Sequence, residues 1–158
     1  MIGKHLQYLV KTELRSNNFT IISENSNQFH DKVWTETGHN LDFIATHQSG
    51  LSIGVEVKNT LPYIPRKEFD AKLRMCKYLG LKPVFAVRWM PKSYIYEAYH
   101  NNGGFGWLFE YQAYPLGFEP ICNKVVKTFG FPVKVMPELP ADAQSRFSNW
   151  VKKQSQKH

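Results

Sequence analysis

The stretch from Leu41 to Lys58 constrains this chain more than any other. Leu41-Asp42-Phe43-Ile44-Ala45-Thr46-His47 and Leu51-Ser52-Ile53-Gly54-Val55-Glu56-Val57-Lys58 are both strand-like, and only Gln48-Ser49-Gly50 separates them. A three-residue connection ending in glycine is a recognised hairpin loop, with the glycine in the left-handed conformation. Side chains alternate across a strand, so Leu41, Phe43 and Ala45 share one face and Asp42 takes the other. On the second strand Ile53, Val55 and Val57 share a face, and Glu56 and Lys58 point away from it together. With His47 opposite Leu51, Asp42 falls directly across from Glu56, their Cβ atoms about 4.5–5.5 Å apart. A two-residue loop would pair Phe43 with Glu56 and turn Asp42 to the other face. The three-residue register keeps both apolar sets on one side.

Two carboxylates at that distance repel each other and suit a hard divalent cation, Mg²⁺ or Mn²⁺. Lys58 stands beside them. The same three residues also read as a surface cross-strand cluster in which Lys58 neutralises two acids, and the pattern leaves both readings open. Asp70-Ala71-Lys72 repeats the acidic-x-Lys spacing inside a predicted helix, where it is expected on a solvated face.

Around the hairpin, Leu6, Leu9, Val10 and Leu14 recur at helical spacing and predict a helix over 4–17, ended by Asn17-Asn18. Phe19 to Ile22 is a short strand, and 24–40 is a polar loop with at most one edge strand at Val33-Trp34. Phe69, Leu73 and Cys76 predict a helix over 66–79, closed by Gly80. Val84-Phe85-Ala86-Val87 reads as a strand buried on both faces. Beyond residue 90 the pattern predicts a short helix near 92–100, strands around 107–113 and 131–136, and a last helix over 140–154. The whole chain, 1–158, is expected to be one domain: a core over 4–90 and an α+β elaboration over 91–158.

Composition narrows the classes. With 42% hydrophobic residues and 15% aromatics, the chain is neither a disordered tail nor a collagen-like rod. Cys76 and Cys122 stand apart and form no zinc spacing, so a reducing, intracellular (cytoplasmic) compartment is expected. His5, His30, His39, His47, His100 and His158 form no ligand motif and read as ordinary histidines. The first apolar stretch is broken by Lys11 and Glu13, which fits neither a secretory signal nor a membrane span. Twenty Lys and Arg against 13 Asp and Glu leave a formal charge of +7, which favours a polyanionic partner.

The order helix, strand, acidic hairpin, helix, strand resembles the αβββαβ core of the PD-(D/E)xK nuclease superfamily. That superfamily includes type II restriction enzymes and archaeal Holliday-junction resolvases. The resemblance rests on Leu41-Asp42-Phe43-Ile44-Ala45, on Val55-Glu56-Val57-Lys58-Asn59 and on Pro83-Val84-Phe85-Ala86-Val87-Arg88, and covers roughly residues 4–90. It implies an α/β, restriction-endonuclease-like fold with a central mixed sheet flanked by helices. Asp42 matches the first metal-binding acid, without the proline that often precedes it; Glu56 matches the second, and Lys58 the motif lysine. Resolvases add a glutamate in the first helix; that position falls at Gln7, and Glu13 could substitute for it, although a solvated helix residue is the readier reading.

The implied activity is Mg²⁺- or Mn²⁺-dependent endonucleolytic hydrolysis of DNA, with no further cofactor, by a restriction-, homing- or junction-resolving enzyme. A non-catalytic nucleic-acid-binding module with the same fold is the alternative. Arg66, Lys67, Lys72, Arg74 and Lys77 are the candidate phosphate contacts. One site cuts one strand, so a paired cut implies a homodimer. No apolar face is left over for a membrane. Tyr94, Tyr96 and Tyr99, with Trp107 nearby, are candidates for base stacking or, more simply, for core packing. Pro62-Tyr63-Ile64-Pro65 is a stiff loop placed to touch substrate.

Overall fold

The structure, a computed structural model, describes residues 2–157, so His158 lies outside the described residues. It is an α/β protein whose central mixed sheet is flanked by helices. Helix α1 (Ile2–Ser16) leads into β1 (Phe19–Ser26), then a small hairpin of β2 (Gln28–Phe29) and β3 (Lys32–Val33). Next come β4 (Leu41–His47), β5 (Ser52–Lys58), α2 (Arg66–Leu79) and β6 (Lys82–Val87). The rest of the chain adds α3 (Lys92–Tyr96), a π-helical turn (Glu97–Asn101), β7 (Phe105–Leu108) and β8 (Gln112–Tyr114). It closes with α4 (Glu119–Phe129), β9 (Val133–Val135) and α5 (Ala141–Ser155).

The main sheet has the order β1-β4-β5-β6-β7. β4 is antiparallel to both β1 and β5, whereas β5, β6 and β7 are parallel. The hairpin has the register read from its loop: Phe43 pairs with Val55, Ala45 with Ile53 and Thr46 with Ser52. Gly50 takes φ 95°, where any Cβ would be strained. The parallel β5–β6 pair needs a crossover, and α2 supplies it. α2 ends on Gly80 at φ 80°, whose amide and that of Leu81 satisfy the last carbonyls.

Both faces of the sheet are covered. On one, Leu6, Leu9, Val10 and Leu14 of α1 pack with Phe43, Val55 and Val57, and with Phe147 and Trp150 of α5. On the other, α2 buries Phe69, Met75 and Cys76 with the opposite side chains of β4 and β6. Leu41 departs from the expected alternation and joins the α2 side, with Ile44 and Cys76. The cause is Gly54: a Cβ there would lie 2.8 Å from Leu41 Cδ1, so Leu41 fills the space the glycine leaves.

Other boundaries moved. β1 runs on to Ser26 across a bulge between Ile21 and Ser23, so the expected long loop is shorter and holds the β2–β3 hairpin. The strand expected over 107–113 is two strands in different sheets, β7 and β8. α4 was not among the expected elements. In the fold Pro120 sits in its first turn and Gly130, at φ 68°, closes it. No helix among the described residues is long and apolar enough to cross a membrane.

Candidate functional site

The β4–β5 ladder stops at Phe43–Val55, whereas β5 stays paired with β6 through Lys58 and Val87. Asp42 sits where β4 and β5 part. Its Oδ2 accepts the Val57 amide hydrogen at 2.7 Å, so the carboxylate stands in for the next rung of the ladder. Glu56 points to the α2 side and is only 5% exposed, because the helix covers that face. Its Oε1 accepts a hydrogen bond from Lys72 Nζ at 2.9 Å, and Lys72 Nζ also donates to the Asn40 carbonyl. Lys58 Nζ lies 4.0 Å from Glu56 Oε2 and 2.9 Å from Glu68 Oε2. Two ammonium groups and three carboxyl groups therefore meet at the end of β5.

Burial, then the negative charge of Asp42, pushes the Glu56 carboxyl up to about 8, against the pull of Lys72 and Lys58. Burial works to lower Lys58, but its bond to Glu68 and the charges of Glu68, Glu56 and Asp42 outweigh this and raise it. Burial likewise works to raise Glu68, yet its bond and charge interaction with Lys58 hold it below the usual range. Lys58 is thus a firm cation, Glu68 a firm anion, and Glu56 a carboxyl that keeps its proton near neutrality.

Asp42, Glu56 and Lys58 come together, but the other expected site residues divide. Glu13 does not join them. It lies on α1, across the sheet from Glu56, and accepts a hydrogen bond from Asn17 Nδ2 at 3.0 Å. Lys72 is not on a solvated face either; at 4% exposed it is buried under α2 and its charge is directed at Glu56. Arg66 is exposed and paired with Glu97 at 2.7 Å and with Asp70. Arg74 is exposed beside Glu36, and Lys67 and Lys77 are exposed on the same helix. Tyr94 and Trp107 are core residues, stacked on Phe69 at 4.2 Å and on Phe147 at 4.3 Å.

Glu68 was missed as a site residue, and Lys72 was expected to contact phosphate rather than Glu56. The signal was available: Lys72 follows Phe69 by three residues and precedes Cys76 by four, in the middle of the apolar stripe. Glu68 stands one turn before it.

Asp42 and Glu56 are the residues that could hold a small hard cation. Asp42 and Glu56 each have one oxygen anchored by the protein, which fixes the orientation of both carboxylates. A divalent ion would replace the proton that Glu56 otherwise retains. Among the described residues no group of three or more His, Cys, Asp and Glu forms a ready cage. Magnesium characteristically accepts such a site, using one or two carboxylates and leaving the remaining positions to water and phosphate oxygens.

Comparison of the chain with protein-family models, with curated proteins and with solved structures gives no match.

Proposed function

We propose that this chain is a metal-dependent endonuclease with a restriction-endonuclease-like core, hydrolysing DNA phosphodiester bonds. The observation that carries this reading is the meeting of Asp42, Glu56 and Lys58 at the end of β5, on a chain of net charge +7. The αβββαβ order of the core supports it, with β2 and β3 inserted between the first two core strands.

Asp42 and Glu56 would hold Mg²⁺ or Mn²⁺, which when bound supplies charge neutralisation at the phosphoryl oxygens and a more acidic water. The Val57 amide and Lys72 hold the two carboxylates in place. Lys58, 2.9 Å from Glu68 and 4.0 Å from Glu56, would orient the attacking water and offset negative charge building on the phosphorus centre. Glu68 keeps the Lys58 ammonium aimed at the site. Lys67 and Lys77 offer phosphate contacts along α2. Symmetric cutting of two strands would require a homodimer.

A second reading has its own observation. Glu56 is already paired with Lys72, and Glu68 with Lys58, which is also how a self-neutralised cluster in a binding module would look. One assay separates the two. Supercoiled plasmid, linear duplex, single strand and a four-way junction are incubated with Mg²⁺ or Mn²⁺, with EDTA and Lys58→Ala as controls. Cleavage that needs the metal and is lost in Lys58→Ala, with DNA affinity retained, is the expected result. Metal-independent binding without cutting would leave the binding module.

A further inference from the structure

The loop between Lys58 and α2 is held rigidly yet turns an aromatic ring outward. Asn59 is fixed by a reciprocal amide bridge, its Nδ2 donating to the Ala113 carbonyl and its Oδ1 accepting the Ala113 amide, both at 2.7 Å. Arg88 Nε and Nη2 donate to the Leu61 carbonyl at 3.1 and 2.7 Å, and Thr60 Oγ1 donates to the Pro62 carbonyl at 2.8 Å. Ile64 is buried, 2% exposed, and anchors the loop to the α2 side of the core. Its neighbour Tyr63 consequently stands 47% exposed, edge-on to Trp89, itself 44% exposed, with ring centroids 5.3 Å apart.

These two rings follow the carboxyl ends of β5 and β6, the sheet end at which Lys58 stands. Val87, the last residue of β6, pairs with Lys58, and Trp89 follows two residues later, just past the strand end. Ligands of parallel α/β sheets bind outside these strand ends. Arg88, between Val87 and Trp89, donates to the carbonyls of Leu61 and Glu110, and among the described residues no carboxylate pairs with its guanidinium. Exposed flat rings, a rigid backbone and this guanidinium together suit a nucleobase stacked on an aromatic face with its phosphate nearby.

We infer that Tyr63 and Trp89 form a stacking platform for unpaired bases next to the Asp42–Glu56–Lys58 site. The substrate class is therefore DNA with a single-stranded segment or splayed bases at the cut, rather than uninterrupted duplex. This rests on the nuclease reading for the site but not for the platform, so binding is measured in EDTA, where nothing is cut.

Trp89 is the reporter, since Trp34, Trp107 and Trp150 are each at most 5% exposed. The full chain is titrated at one salt concentration with oligothymidylate, an abasic strand of the same length and a blunt duplex. Tryptophan fluorescence should be quenched by oligothymidylate and not by the abasic strand. Tyr63→Ala and Trp89→Ala should each weaken oligothymidylate binding about tenfold, while abasic and duplex affinities stay within about twofold. Trp89→Phe should retain most of the affinity, and thermal melts of all variants check folding. Absence of quenching, or equal losses on all three ligands in folded variants, overturns the platform. Cleavage in Mg²⁺ without any aromatic contribution would keep the nuclease and discard the platform; stacking without cleavage would do the reverse.

Discussion

Glu56 shows how much one residue's behaviour depends on its surroundings. In the unfolded chain it ionises near 4.5, and in the fold near 8. Between those values the folded protein holds a proton that the unfolded chain has lost, so stability falls as pH rises through this window. Glu56→Gln removes that slope. In EDTA, the melting temperature of the variant relative to the parent should therefore climb from pH 5 to pH 8.5 and level off above; parallel curves would mean that Glu56 is not held protonated. Alternation along β5 already put Glu56 and Lys58 on one face, and the loop length put Asp42 opposite Glu56. Lys72 was as readable, yet a charged residue in an apolar stripe reads as a helix surface until something is known to sit beneath it. What sits beneath it is a carboxylate from a strand sixteen residues earlier in the chain.

At the scale of elements, α1, the β4–β5 hairpin, α2 and β6 were legible because each carries its own periodicity and its own stop. α4 was not, since only Cys122 of its apolar residues is buried and Ile121, Val126 and Phe129 stay exposed. Close contacts between elements are also set at two glycines, and they should respond differently to substitution. A Cβ on Gly54 would meet the ends of Leu41 and Cys76 side chains at 2.8 and 2.9 Å, which can turn away. On Gly104 it would lie 2.1 Å from the Pro83 carbonyl oxygen and 2.9 Å from that of Ala98, both backbone. Gly54→Ala should cost about 1–3 kcal/mol and Gly104→Ala about 3 kcal/mol or more, compared by denaturant melts. A smaller loss at Gly104 than at Gly54 would show that the β6–β7 strands can part without penalty.

Across the whole molecule, the segment after residue 90 shares the core of the segment before it. β7 extends the main sheet, and Trp107, fully buried, stacks on Phe147 of α5 with the ring planes 10° apart. Trp107 Nε1 donates to the Ala143 carbonyl at 3.0 Å, so α5 is tied to the sheet by a polar contact as well. Phe147→Ala should destabilise the protein by about 3–5 kcal/mol, and a fragment ending at residue 90 should lack a cooperative unfolding transition. A fragment that melts cooperatively would make the C-terminal elements an appendage.

The hairpin register and the helices α1 and α2 were legible in the residues themselves. These follow from local periodicity and a three-residue loop, which act within a few residues of chain. It took the packing of α2 on the sheet to seal the Glu56 face and bring Lys72 and Glu68 onto the acids, and the packing of α1 to leave Glu13 across the sheet. Tertiary structure also decided that Tyr63 would stand beside Trp89. Those outcomes depend on how far apart the sheet and helices settle and on which side each helix crosses, quantities set by packing between distant segments.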